Sequence, residues 1–427
     1  MLSQEENEIL TRVGRGKPMG EAMRRYWLPA LLSEELPQPD GDPVRLRLLG
    51  EDLVAFRDSN GQVGLLAANC AHRGASLFFG RNEACGLRCV YHGWKFDVSG
   101  RCVDMPNEPA ESSFKEKVRQ TAYPCHEQAG IIWTYMGPAP KQPPVPNYEW
   151  MRAPVGHRFV SKTYEECNFV QAIEGGVDTS HSSFLHRVMD PNQPTSADQE
   201  YRRSSTAPRL EVLNTDYGYT YAGIRPLPGR AESYIRVYHF VMPFQQLRAS
   251  SGGREGSRPT LNGHLWVPID DEHTWVYNWL CSRDTDGEPL TAEEMDRLEH
   301  SAGRGKADLL PGYRLKKNQS NDYEIDREIM RMRRSWTGIE GINTQDMACQ
   351  ESMGPIYDRS TEHLGTADAA VIAMRKLLLD AAHAIQLGQE PLGVDGGSSA
   401  KVRPAEAVLP SDRLWTAAFE KDVIAVW

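Results

Sequence analysis

The 427-residue chain has no run of the roughly eighteen apolar residues that a membrane-spanning helix needs. Its opening, Met1-Leu2-Ser3-Gln4-Glu5-Glu6-Asn7-Glu8, is acidic and lacks the apolar centre of a secretory leader. Both absences point to a cytoplasmic protein with no membrane attachment. Positive charge is in deficit: 48 Lys and Arg stand against 58 Asp and Glu, a net charge of -10. That excludes a general affinity for nucleic acid or for an anionic lipid surface, and leaves room only for local basic pockets. Cysteine is scarce, eight in all, so no disulfide framework is expected. No phosphate-binding loop is present. Gly14-Arg15-Gly16-Lys17 lacks both the preceding strand and the third glycine of a dinucleotide fingerprint. The chain therefore has no visible means of drawing electrons from a nicotinamide itself. No internal repeat stands out. Apolar residues make up 40%, enough for sizeable cores, and the length suits about three domains.

What is present is more specific. Cys70-Ala71-His72 and Cys89-Val90-Tyr91-His92-Gly93-Trp94 are separated by sixteen residues. Each loop offers one thiolate and one imidazole. In a Rieske [2Fe–2S] cluster the two thiolates hold one iron and the two imidazoles the other, which raises the potential above that of an all-cysteine cluster. A structural zinc also accepts two Cys and two His, but its usual order is paired cysteines followed by paired histidines. Cys70, His72, Cys89 and His92 are therefore the expected cluster ligands. Gly93 allows close backbone approach, and Trp94 either shields the cluster or is core. Cys85 lies near but has no paired histidine. It and Cys102, Cys125, Cys167, Cys281 and Cys349 are expected to be reduced thiols.

Three regions follow from the pattern. Residues 1–44 read as a helical lead-in packed on the catalytic domain. Residues 45–145 read as short strands: Val44 to Leu48 and Asp52 to Arg57 alternate, Ser59-Asn60-Gly61 marks a hairpin, and Ile131 to Tyr135 closes the segment. Prolines 138, 140, 143, 144, 146 and 154 mark a boundary. Residues 146–427 form the remainder. Glu165 to His186 has helical character, and Tyr217–Tyr221, Tyr234–Phe240 and Thr274–Trp279 read as strands. An amphipathic helix spans 366–387, with Val371, Met374, Leu378, Ala381 and Ile385 on one face and Gly388 as its stop. The tail after Gly393 is expected to wrap a surface.

A second constellation sits in that remainder: Asp178-Thr179-Ser180-His181, then His186. Two histidines with a carboxylate and open positions are the ligand set of a non-haem Fe(II) oxygenase. On an ideal helix His181 and His186 would differ by about 140°, so irregular backbone is expected between them. Asp178 and His181, three apart, share a helical face. Asp178 then suits the role of accepting the free ring N–H of His181.

With both signatures in this order, the chain resembles the catalytic α subunit of a Rieske non-haem iron aromatic ring-hydroxylating oxygenase. The stretch Gly341-Ile342-Asn343-Thr344-Gln345-Asp346-Met347-Ala348-Cys349-Gln350-Glu351-Ser352-Met353-Gly354-Pro355-Ile356, with Glu362-His363-Leu364-Gly365, is similar to the phthalate-dioxygenase-like group. High-potential respiratory Rieske proteins fit less well, because the extra cysteine that follows each of their ligand loops is missing here. The resemblance implies an α+β fold: an antiparallel-β Rieske domain and a helix-grip-like catalytic domain, an antiparallel sheet flanked by helices, holding mononuclear iron. It implies Asp346 as the third iron ligand beside His181 and His186, with Glu351 and Asp358 as competitors. It also implies a separate NADH-dependent reductase, dioxygen as co-substrate, and a homotrimer or a pair of trimers. In such a ring Asp178 bridges His92 of one subunit to His181 of the next.

The same resemblance suggests a small aromatic acid as substrate, a phthalate isomer or substituted benzoate, oxidised in aromatic catabolism. A carboxylate calls for an arginine fork. Arg203, Arg209, Arg225, Arg236 and Arg248 are the candidates, with Arg225 and Arg236 ranked first and Phe244 and Met242 as apolar wall. Competing readings are a Rieske monooxygenase, O-demethylase or diaryl-ether-cleaving enzyme, a pure electron-transfer Rieske protein, and a zinc-stabilised binding protein.

Overall fold

In a computed structural model, which describes residues 1–192, 195–250 and 258–427, the alternating strands Val44–Leu48 and Glu51–Arg57 pair antiparallel. Val63–Ala67 follows after a turn in which the Asp58 carboxylate accepts the backbone N–H groups of Asn60 and Gln62. Ala122–Tyr123 completes this four-stranded sheet. A second sheet orders Trp27–Leu32, Ile131–Tyr135 and Cys125–Gln128, and a third is built from four short strands between Arg81 and Asp104. Val54, Phe56, Leu66, Leu77, Leu87 and Phe96 fill the core, and Cys70 and Cys89 belong to it.

The chain divides into two compact units, Val13–Val145 and the pair of segments Met1–Arg12 with Pro146–Trp427. Residues 1–12 and 13–44 thus fall in different units. The second unit holds an antiparallel sheet in the order Arg158–Glu165, Thr274–Ser282, Thr260–Pro268, Gln245–Ser250, Glu232–Val241, Gly218–Pro226, Arg209–Asn214. Alternation along these strands turns one set of side chains to the helices Phe169–Val177, Ile342–Ser352 and Ala369–Gln386. The last of these runs as its periodicity predicts, burying Val371, Met374, Leu378 and Ala381, with Gly388 at a positive φ of 73° beyond its end. Burying each of the Val, Met and Leu side chains contributes about 1.5–3 kcal/mol.

Three expectations are corrected. Helix does not run from Glu165 to His186: Glu165 ends a strand, and the helix occupies only Phe169–Val177, capped by the Asn168 side chain on the Val170 N–H. Asp178 is extended and lies just past the helix, so it does not share a helical face with His181. The tail does not merely wrap a surface. Ala405–Pro410 pairs antiparallel with Glu232–Val241 and becomes part of the sheet.

Two candidate metal centres and the cavity beside one of them

In the Val13–Val145 unit, two loops have the same hydrogen bonds. The Cys70 N–H donates to Ala75 O at 2.8 Å and Gly74 N–H to Cys70 O at 2.9 Å; the Cys89 N–H donates to Trp94 O at 2.8 Å and Gly93 N–H to Cys89 O at 2.9 Å. Gly74 and Gly93 take φ of 76° and 79°, which favours glycine. A Cβ on Gly93 would also stand 2.6 Å from Pro106. The loops place the His72 and His92 rings 4.5 Å apart, His72 stacked on Trp94 at 4.2 Å. The Trp94 indole N–H is held by Asn107 Oδ1 at 2.7 Å.

The donor set fits a Rieske cluster. Cys70 and Cys89 are both buried, and burial, with Cys89 beside it, pushes the Cys70 thiol up to about 11. A thiol held up in this way ionises readily only when a cation joins it. The Nδ1 of His72 is buried with no hydrogen-bond partner, the state of a nitrogen reserved for a metal. Cys85 instead accepts from the Asn60 side chain at 3.2 Å.

In the other unit, the backbone turns sharply after Val177. Asp178 Oδ1 accepts from Ser180 N at 2.6 Å and Ser180 Oγ at 2.8 Å, and its Oδ2 accepts from His181 N at 3.1 Å. A 3-10 turn at His181–Ser183 supplies the irregular backbone expected between the histidines. Arg225 pins this loop from the sheet, donating to Thr179 O at 2.6 Å and Ser183 Oγ at 3.0 Å. Gly175 and Gly176 let the helix settle on its neighbours, because a Cβ there would collide with Gln350 and with the Trp266 ring at 2.0 Å in each case.

Three donor atoms converge. His186 Nε2 lies 3.2 Å from His181 Nε2 and 3.1 Å from Asp346 Oδ1, and His181 Nε2 lies 3.7 Å from Asp346 Oδ1. Their protons can be placed. Asp178 Oδ2 accepts from His181 Nδ1 at 3.3 Å. Gln345 Nε2 donates to Ile339 O at 2.8 Å, which turns its Oε1 to accept from His186 Nδ1 at 2.8 Å. Both Nδ1 atoms therefore carry the hydrogen, and both Nε2 lone pairs face one point beside a carboxylate. Two lone pairs 3.2 Å apart repel unless a cation sits between them. The set fits a 2-His-1-carboxylate iron site. Burial disfavours ionisation of Asp178, but the His181 Nδ1–H and the Ser180 N–H and hydroxyl that it accepts override it and hold its carboxyl below the usual range. Gln345 escaped the sequence reading; its position directly before Asp346 is the signal that could have found it.

Of the competitors, Glu351 is buried and takes the Glu166 N–H at 2.8 Å, while Asp358 is exposed and caps Ser360. Neither joins the triad.

His181, His186 and Asp346 line a cavity of about 1000 Å³. The other wall is sheet: Arg236, Tyr238, Gln246, Arg248, Asn262 and His264 face it. Arg236 is paired with Glu406 at 3.2 Å. Arg225 is spent on the metal loop, and Arg203 and Arg209 pair with Glu200 and Glu211. Met242 and Phe244 are core residues away from the cavity lining. Arg248 differs from all of these. It is half-buried and, among the described residues, lacks a carboxylate partner. It donates to Asn262 Oδ1 and, at 2.8 Å, to His264 Nε2. His264 Nδ1 faces Asn278 Oδ1 at 2.8 Å, and burial, then Arg248, holds this imidazole neutral well below its ordinary range. Burial, then Arg236 and Arg304, pushes Arg248 down to about 10, so it stays cationic at neutral pH.

Residues 26–124 match the Rieske [2Fe-2S] domain family, and residues 134–425 match the family described as LigXa C-terminal domain like. The chain is 41% identical to the phthalate 4,5-dioxygenase oxygenase subunit of Pseudomonas putida, over 97% of this chain and 94% of that one. It is 38% identical to the 3-chlorobenzoate-3,4-dioxygenase oxygenase subunit of Comamonas testosteroni, over 99% of both chains. In fold it is similar to the solved structure of Pseudomonas putida CBB5 NdmA with caffeine, at a TM-score of 0.60 and 20% identity over 93% of this chain and 100% of that one. Among the described residues, no helix is long and apolar enough to cross a membrane. With two matched domains in sequence and near-complete coverage of both relatives, the chain belongs to the Rieske non-haem iron ring-hydroxylating oxygenases, as an oxygenase subunit of the phthalate-dioxygenase-like group.

Proposed function

We propose that this oxygenase hydroxylates, by cis-dihydroxylation, an aromatic carboxylate such as a phthalate isomer or a substituted benzoate. The observation that carries this reading is Arg248, a cation without a carboxylate partner among the described residues, on the wall of the cavity that the His181–His186–Asp346 group lines. A guanidinium held in place by Asn262 and His264 is a ready fork for one carboxylate. The relatives named for phthalate and chlorobenzoate agree in chemistry.

In this reading Cys70, His72, Cys89 and His92 hold the [2Fe–2S] cluster, and His181, His186 and Asp346 hold the mononuclear iron. When bound, these groups supply one-electron transfer and dioxygen activation. The protein's part is orientation. Asp178 and Gln345 fix the tautomers of the two histidines, Arg225 fixes the loop between them, and Arg248 sets which end of the ring points away from the metal. Electrons come from a separate NADH-dependent reductase. Asp178 joins His181 to His92 of a neighbouring subunit in a cytoplasmic homotrimer, or in a pair of trimers.

The test is oxygen uptake by the holoenzyme with a reductase, on benzoates, phthalate isomers and their neutral methyl esters, with product analysed by mass. Coupled turnover of the acids and not of the esters is expected. Equal turnover of the esters would sink the reading.

A further inference from the structure

Glu165 ends the strand Arg158–Glu165 and lines the same cavity as the metal-binding triad. The residue is only 1% exposed. The Cys167 thiol donates to its Oε1 across 3.4 Å. Among the described residues, no lysine or arginine pairs with it, and the charged groups that act on it are Glu351 and Asp346, both on the helix Ile342–Ser352. Its partner across the sheet is Thr274, which is neutral. Lys162 of the same strand lies over the rings of Trp275 and Tyr313, 4.4 Å from each. A carboxyl shut away from water and facing other acids cannot keep its charge. Burial, reinforced by Glu351, raises it well above the ordinary glutamate range.

Glu351 leads outward. Its Oε2 accepts the Tyr323 hydroxyl, and Tyr323 sits among the exposed residues Gln319, Ser320, Asn321, Asp322 and Glu324. Burial raises Glu351 as well. A second acid, close enough to act on Glu165, and a phenol bonded to it thus lie between the cavity residue and the exposed segment.

We infer that Glu165 is the acid through which protons enter the cavity, with Glu351 and Tyr323 restoring it from solvent. This rests on the oxygenase reading above. Addition of both oxygen atoms of O2 to a ring takes up two electrons and two protons; the reductase supplies the electrons, and water outside supplies the protons. The O–H bond of Glu165 breaks, its proton passes to reduced oxygen in the cavity, and the carboxylate left behind regains one from the Glu351 side.

The first test needs no substrate. The infrared spectrum of the holoenzyme at neutral pH should show the C=O stretch of a protonated carboxyl, shifted in D2O and lost in Glu165→Gln; absence of that band overturns the inference whatever the substrate proves to be. The second uses the acid turned over fastest in the oxygen-uptake panel. Glu165→Gln should slow product formation roughly a hundredfold, raise peroxide release per dioxygen consumed, and abolish the solvent isotope effect, with iron content unchanged. Full coupling with the isotope effect intact overturns the inference. If Glu165→Gln does not fold, Tyr323→Phe decides. It should slow product formation and change its pH profile, and an unaltered rate and profile count against the relay.

Discussion

The Nε2 atoms of His181 and His186 stand 3.2 Å apart because each ring is turned by a different acceptor, Asp178 for one and Gln345 for the other. One acceptor is charged and comes from the turn after a helix. The other is a neutral amide on the helix that also carries Asp346. The ligand geometry is therefore shared between two elements far apart in sequence.

Replacing Asp178 by Asn should leave both metals bound, because an Asn Oδ1 can still accept the His181 Nδ1–H, and should lower product formation by about a hundredfold, the upper end of the cost of altering an outer partner of a metal-binding histidine. Iron and sulfide analysis beside product quantitation checks it. Wild-type turnover would remove Asp178 from the electron route.

Gln345→Leu leaves the His186 Nδ1 hydrogen without its acceptor. Iron affinity should fall about 10- to 100-fold, read by titrating Fe(II) into apoprotein, while the Rieske absorbance stays unchanged. Unaltered iron affinity would mean that Gln345 does not set the ring.

Arg248→Met should raise KM for the aromatic acid by an amount equivalent to about 2 kcal/mol, the worth of a charge-assisted hydrogen bond. Turnover of a neutral ester should not fall. A KM shift equal for acid and ester would show that packing, not charge, was lost.

Arg225→Met withdraws donors from Thr179 O and Ser183 Oγ in the buried loop that carries His181. A cost of about 3 kcal/mol or more in stability is expected, with reduced iron occupancy. Thermal denaturation and metal analysis on the same sample measure both.

Glu165 and Glu351 both ionise above the ordinary glutamate range, burial being the main cause for each. A carboxyl raised on folding favours the native state at low pH, and that contribution is lost as pH rises through the folded value. Glu165→Gln should therefore flatten the fall in Tm between mildly acidic and alkaline pH. An identical pH dependence in both proteins would show that Glu165 is already ionised when folded.

Most of the site was legible because metal ligands are few in kind and fixed in spacing. The C-x-H and C-x-x-H loops and the D-x-x-H-x-x-x-x-H run announced themselves, and the angle between His181 and His186 required the broken backbone that is found. The reach of Glu165 to His186 was misread as helix because local propensity says nothing of the strand partner Thr274–Ser282, which captures Arg158–Glu165. The arginines could not be ranked from sequence. Arg225, Arg236 and Arg248 all sit in strands, and what separates them is Thr179 and Ser183, Glu406, and the lack of any such acid among the described residues. Two of those partners are distant in the chain or known only through the turn they hold.

The pairing of Ala405–Pro410 with Glu232–Val241 has a consequence for how the enzyme comes into being. Arg236 lacks its counter-ion until Glu406 arrives, and the strand bearing Tyr238 keeps an open edge until then. A nascent chain thus carries His181 and His186 long before residue 406, and the edge of the sheet at Glu232–Val237 is covered only when that later strand docks.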